Sequence, residues 1–142
     1  MKNKVLTVSL IILVSITLVG IVGLILVLQF NKGDDKPKEP SIDEIIEASV
    51  DVPEITTNLN GRQFIRISLK IQTDNKKAAA ELTKRDFQVN NIVIQQLSEM
   101  TAKDFEGKAG KQQFEDGLKA QLNPLMQEGK IVKVYITSYI IQ

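Results

Sequence analysis

The sequence of 142 residues has no cysteine, no histidine and no tryptophan, and only five Phe and two Tyr. Without Cys there is no disulfide, no thiolate nucleophile and no lipid-modified cysteine. With His missing as well, the usual zinc, haem and iron–sulfur ligand sets are excluded, together with an imidazole acid–base and a Ser-His-Asp triad. Charge of one sign is also lacking: 18 Lys and Arg stand against 17 Asp and Glu. A nucleic-acid binder would carry a basic excess or stripe, so no nucleic-acid partner is expected. No cofactor, metal site or catalytic residue is expected either.

What is present is distributed unevenly. From Val5 to Asn31 there is no charged residue, and 19 of the 26 residues in Val5–Phe30 are Ile, Leu, Val or Phe. A run of ~20 apolar residues suffices to cross a bilayer. At about −0.3 to −0.6 kcal/mol per such residue, these contribute roughly −6 to −11 kcal/mol to insertion. A signal peptide has a shorter apolar region that ends in a small-x-small site. Here the first alanine is Ala48, and the pairs Thr7/Ser9 and Ser15/Thr17 lie inside the run. An uncleaved transmembrane helix over 5–30 is therefore expected. Gly20 and Gly23 lack the Gly-x-x-x-Gly spacing of a packing motif. Lys2 and Lys4 precede the run and Lys32, Lys36 and Lys38 follow it, which nearly balances the positive-inside tally. The short basic tail, residues 1–4, has the form of a signal anchor with the N-terminus inside and the remainder outside.

Residues 31–40, NKGDDKPKEP, are polar with Gly33, Pro37 and Pro40, and read as a charged linker. Residues 41–142 carry 13 basic and 14 acidic groups and suffice for one small core, an extracytoplasmic α+β domain. Ser41-Ile-Asp-Glu44 is a capping box opening a short helix to about Ser49, with Ile42, Ile45 and Ile46 on one face. Val50–Asn58 is β-branched and extended, with Pro53 marking an edge or a strand start. A three-residue turn, Leu59 to Gly61, pairs Ile55 with Ile65 and Thr57 with Gln63. The next strand alternates, with Ile65, Ile67, Leu69 and Ile71 inward and Arg66, Ser68, Lys70 and Gln72 outward. Asp74 or Asn75 caps one long helix to about Met100, with Leu82, Val89, Val93, Leu97 and Met100 as its stripe and Phe87 and Ile94 beside it. A second helix follows Gly110, with Phe114, Leu118 and Leu122 in register. Asn123-Pro124 kinks it or starts a final turn, which Glu128-Gly129 ends. Lys130–Ile141 is a closing strand with Val132, Val134, Ile136 and Ile140 on one face and Lys133, Tyr135, Thr137 and Tyr139 on the other. The order β-β-α-α-β predicts helices packed on one face of a small, largely antiparallel sheet.

Candidate chemistry is sparse. Gly107-Lys-Ala-Gly-Lys111 lacks the first glycine of a phosphate loop, has Gln112 where Ser or Thr is needed, and follows no strand; it reads as an interhelical turn. Glu115-Asp116 and Asp104 with Glu106 are paired acids on faces expected to be solvated. Lys76-Lys77 and Lys84-Arg85 are balanced by Glu81 and Asp86 and read as a solvated helix face, with contact to anionic headgroups as the alternative. No nucleophile elbow marks a Ser–Lys pair.

Taken in order, the basic tail, single span, charged linker and Pro53-Glu-Ile-Thr-Thr-Asn-Leu59 resemble the flagellar basal-body-associated protein family FliL. The strand Phe64–Gln72, the segment Ile94-Gln-Gln-Leu-Ser-x-x-Thr101 and the closing Gly129–Gln142 resemble the same family. The resemblance implies a fold similar to stomatin/prohibitin (SPFH) domains. It further implies a homo-oligomeric ring, and association with basal-body proteins and MotA/MotB-type stator units in support of torque, swimming, swarming and chemotaxis. Asn90-Asn91 departs from an Arg-Asp pair of many relatives; if that pair serves oligomer contacts, the departure bears on ring assembly. The family carries no catalytic residues to transfer. The expected function is thus a non-enzymatic membrane protein of the motor. The alternatives are a membrane-anchored extracytoplasmic sensor or ligand-binding module and, further off, an anchored Ser–Lys hydrolase.

Overall fold

The charge-free run forms a single helix, α1 (Lys2–Phe30), with its side chains exposed on every side. The structure is a computed structural model that describes residues 2–30 and 38–142. Most of the linker expected at 31–40 lies outside the described residues; Lys38–Pro40 are exposed and without regular structure. The chain divides into two compact units, 1–39 and 40–142.

The second unit opens with α2 (Ile42–Glu47). The Ser41 hydroxyl accepts from Glu44 N–H, and the Glu44 carboxylate accepts from Ser41 N–H, completing the capping box. Its expected apolar face is not buried: Ile42 and Ile46 are exposed. The strands β1 (Ser49–Asn58), β2 (Phe64–Thr73) and β3 (Ile131–Ile141) form an antiparallel sheet in the order β1-β2-β3. The central strand alternates as expected, with Ile65, Ile67, Leu69 and Ile71 buried. Gln72, expected outward on solvent, is also buried and accepts a hydrogen bond from the Tyr135 hydroxyl at 2.9 Å.

The hairpin register differs from the expected one. Ile55 pairs with Ile67 and Thr57 with Ile65. Leu59 belongs to the core, at 3% exposure, and its N–H donates to Gln63 C=O, so the turn is Asn60–Arg62 with Gly61 at φ 132°. A bulge between Val52 and Ile55 absorbs one residue at Pro53, which has no N–H to lose on this edge strand. The third strand departs further. Register shifts beside Ser68/Leu69 and Gln72/Thr73 put Ile131, Val134, Ile136, Tyr139 and Ile141 opposite inward residues of β2. Val132 and Ile140, expected inward, are exposed, while Tyr139 stacks on Phe105 with centroids 6.1 Å apart.

The single long helix expected from Asp74/Asn75 is two helices, α3 (Lys76–Lys84) and α4 (Asp86–Glu99). Asn75 is the cap, its Oδ1 accepting from Ala78 N–H at 2.9 Å. At Arg85 (φ −96°, ψ 17°) the N–H closes α3 on Glu81 and Leu82, and the carbonyl starts α4 by accepting from Val89. The stripe Leu82, Val89, Val93 and Leu97 is buried through the break, because two seven-residue-spaced positions share a face either way. Phe87 and Ile94 are exposed. A 3-10 turn (Ala102–Phe105) leads into α5 (Gly107–Leu122), which begins before Gly110, so the segment 107–111 is its first turn rather than a loop. Phe114, Leu118 and Leu122 are buried as expected, and a 3-10 turn (Asn123–Leu125) with Pro124 near its start follows. Leu82, Val93, Leu97, Phe105, Phe114 and Leu118 form one core with the inward residues of β2. Burying each contributes about 1.5–3 kcal/mol.

Candidate functional site

In α1 three of the four hydroxyls turn inward on the backbone: Thr7, Ser15 and Thr17 donate to the carbonyls of Asn3, Ile11 and Leu13 at 2.7–2.8 Å. Back-bonding of this kind satisfies a hydroxyl where hydrocarbon offers no partner. At ~1.5 Å per residue the 29-residue helix is about 44 Å long, ample for a bilayer. A helix apolar on all sides is made for lipid or for a protein interior. This one is unburied, and by length and composition it qualifies as a membrane span.

In the second unit the acidic residues serve the backbone. Asp104 accepts from Thr101 N–H at 2.6 Å and from its hydroxyl at 2.8 Å, which holds the carboxyl below its ordinary range. Glu115 accepts from Ile136 N–H at 3.0 Å. Both were expected to be solvated; Asp104 is exposed and bonds only within its own turn, while Glu115 is half-buried and ties α5 to β3. Among the described residues no three carboxylates converge as a metal site would require.

The strongest such tie is Glu81. Its carboxylate accepts from Glu128 N–H at 2.8 Å, from Gln127 N–H at 2.9 Å and from Arg85 Nε at 2.8 Å. These bonds, the Glu128 N–H foremost, lower its pKa. It thereby clips the 127–128 turn to α3, and Arg85, also bonded to Gln88, is fixed at the helix break. Beside it Asp74 and Asn75 bond Lys130 N–H and Glu128 C=O. Lys76 pairs with Glu47 while staying solvated as expected, whereas Arg85 is half-buried and pairs with Glu81.

Among the described residues, several surfaces are open to a partner. On the sheet face away from the helices, Phe64 (54% exposed) and Ile140 (49%) are diagonal neighbours beside Arg66. On α4, Phe87 (67%) and Ile94 stand one heptad apart on a helix with no charged residue after Asp86 until Glu99. Between α5 and β3 lies a groove of about 490 Å³, lined by Lys108, Lys111, Lys119 and Lys133 with Glu115 and Asp116. A smaller cleft of about 230 Å³ lies between Pro53 and the α3–α4 junction. Sequence reasoning missed the groove, because Lys133 joins the α5 lysines only through the fold.

Comparison with known proteins identifies relatives over most of the chain. Residues 49–142, all three strands and the helices between them, match the family described as "Flagellar basal body-associated protein FliL". The flagellar protein FliL of Bacillus subtilis (strain 168) is 48% identical over 111 residues, covering 78% of this chain and 79% of that protein. The flagellar protein FliL of Aquifex aeolicus (strain VF5) is 24% identical over 79 residues, covering 56% of this chain and 49% of that protein.

Proposed function

This chain belongs to the FliL family of flagellar basal body-associated proteins, and on that premise we propose that it is a non-enzymatic, single-pass accessory of the flagellar motor. Family membership and α1 together make it a membrane-anchored flagellar protein. In the proposed arrangement residues 1–4 lie inside, 5–30 span the membrane, 31–40 link, and 41–142 form the external domain. That domain, of SPFH type, assembles as a homo-oligomeric ring and contacts stator units and basal-body proteins, supporting torque, swimming, swarming and chemotaxis. The observation that carries the reading is the match of the sheet domain to the flagellar family on a chain that also holds an apolar 29-residue helix. The chemistry of the domain is consistent with a holding role, since its carboxylates bond backbone N–H groups.

Deletion of the gene tests the proposal. Motility should fall, most under viscous load, while filaments remain visible on the cells. Normal swimming and swarming under load would overturn it. The ligand-binding alternative is less well supported: the cleft beneath Pro53 is smaller than the ~300–1,000 Å³ usual for small-molecule sites, and the larger α5–β3 groove is lined mainly by charged side chains where such sites are mostly apolar.

A further inference from the structure

We propose that the groove between α5 and β3 is a docking site for an acidic, extended segment of a partner protein. Lys108, Lys111, Glu115 and Lys119 recur at three- and four-residue intervals and so share one stripe of α5; β3 supplies Lys133 from the facing wall. None of the four lysines is in an ion pair among the described residues. Glu115 accepts from Ile136 N–H and keeps its charge, so four ammonium groups stand against two carboxylates and the groove carries a net positive charge.

Two of the lysines are held in place. Lys111 Nζ lies 5.2 Å from the Tyr139 ring centroid and donates to Gly107 C=O at 3.0 Å; Lys133 Nζ lies 4.9 Å from the Tyr135 ring. Holding them lowers the entropy lost when a counter-charge arrives. From Lys108 to Lys119 the stripe runs about 16 Å along the helix. An extended segment covers that length with about five residues. Glu115 and Asn123 already hold β3 backbone groups at Ile136 and Ile131, so the segment is recognised mainly by side-chain charge rather than by joining the sheet.

The chemistry favours carboxylates on a peptide over phosphates. The cations are all lysine point charges, with no guanidinium fork of the kind suited to bidentate phosphate recognition. Val132, 38% exposed, adds apolar wall that residues between the acids of a peptide would cover.

The test uses the full chain in nanodiscs of zwitterionic phosphatidylcholine and a labelled peptide alternating Glu with Val and Thr, with fluorescence anisotropy as readout. The Glu peptide should bind, its Gln counterpart should not, and affinity should fall severalfold between about 50 and about 200 mM salt. Lys108→Glu with Lys119→Glu should weaken binding about tenfold, and Lys108→Gln with Lys119→Gln severalfold. Lys84→Glu, outside the groove, should change nothing, and circular dichroism should show the fold retained in each variant. Equal binding of the Gln peptide, or unaltered affinity in both groove variants, overturns the proposal. It is equally overturned if polyphosphate or anionic vesicles compete more strongly than the Glu peptide, or if the groove variants abolish self-association of the chain. No motor enters the readout, so a null result leaves the motility reading intact, and the proposal does not rest on that reading.

Discussion

Two glycines of α5 make a controlled experiment. Replacing either by Ala gains about 1 kcal/mol of helix propensity. At Gly110 the added methyl runs into the carbonyl oxygen of Asp104 and lies 2.8 Å from its carbon. That obstacle is backbone, in a 3-10 turn fixed by the Thr101–Asp104 bonds and by buried Phe105. Overpacking against an unyielding neighbour costs about 3 kcal/mol, leaving a net loss of about 2 kcal/mol. At Gly117 the methyl lies 2.6 Å from Gln96 Nε2, the end of a flexible side chain. Swinging Gln96 away gives up its bond to Phe114 C=O and the one it accepts from Gln121. Each is worth about 1 kcal/mol, so the two together, less the propensity gain, leave a net loss of about 1 kcal/mol. Thermal unfolding of the full chain in nonionic micelles, followed by far-ultraviolet circular dichroism, reads the difference. Gly110→Ala should lower Tm by about 8–16 °C, and Gly117→Ala by no more than about 8 °C. Equal shifts, or a larger loss at Gly117, would refute the reasoning.

Gly129→Ala should cost about 3 kcal/mol by urea denaturation, since φ is 155° and the methyl would lie 2.5 Å from Asn75 Nδ2 and 3.0 Å from Ala78 Cβ. Glu81 gives a pH test: its folded pKa lies below the ordinary 4.5, so its stabilising effect is complete above that value and lost as pH falls through the lower, folded one. Glu81→Gln should lower the urea midpoint at pH 7 and flatten its decline in acid; an unchanged acid limb would sink the assignment. In the apolar run, Leu13→Arg adds roughly 3 kcal/mol to the insertion cost, and alkaline extraction of membranes should release more of this variant than of the wild type.

The parts of the fold legible in the sequence are those set by near neighbours. The Ser41–Glu44 box, the Asn75 cap, the alternation of β2 and the Phe114-Leu118-Leu122 stripe each follow from residues within one or two turns. The errors came where a strand gains a residue. Alternation presumes an unbroken pleat, so the shifts in β3 moved Tyr139 inward and Val132 and Ile140 outward without altering composition. Pro53 did signal the edge strand, because a residue without N–H is tolerated there, but not the bulge beside it. The break at Arg85 has no Gly or Pro to announce it, and the core stripe passes through it undisturbed. Glu81, Glu115 and Asn123 were illegible as clamps because their partners lie 46, 21 and 8 residues away, brought near only by the finished fold.

The pairing of Phe64 with Gln142, N–H to C=O in both directions, sets a timetable for biosynthesis. The central strand is made early and its second neighbour last. At roughly 5–20 residues per second, β2 waits several seconds with its backbone edge unpaired and four apolar side chains uncovered on one face of a two-stranded ribbon. A two-stranded ribbon is only marginally stable in water. The sheet therefore closes only once residue 142 has been made, long after α1 has left the ribosome. Any factor that binds the unfinished chain has that interval in which to act.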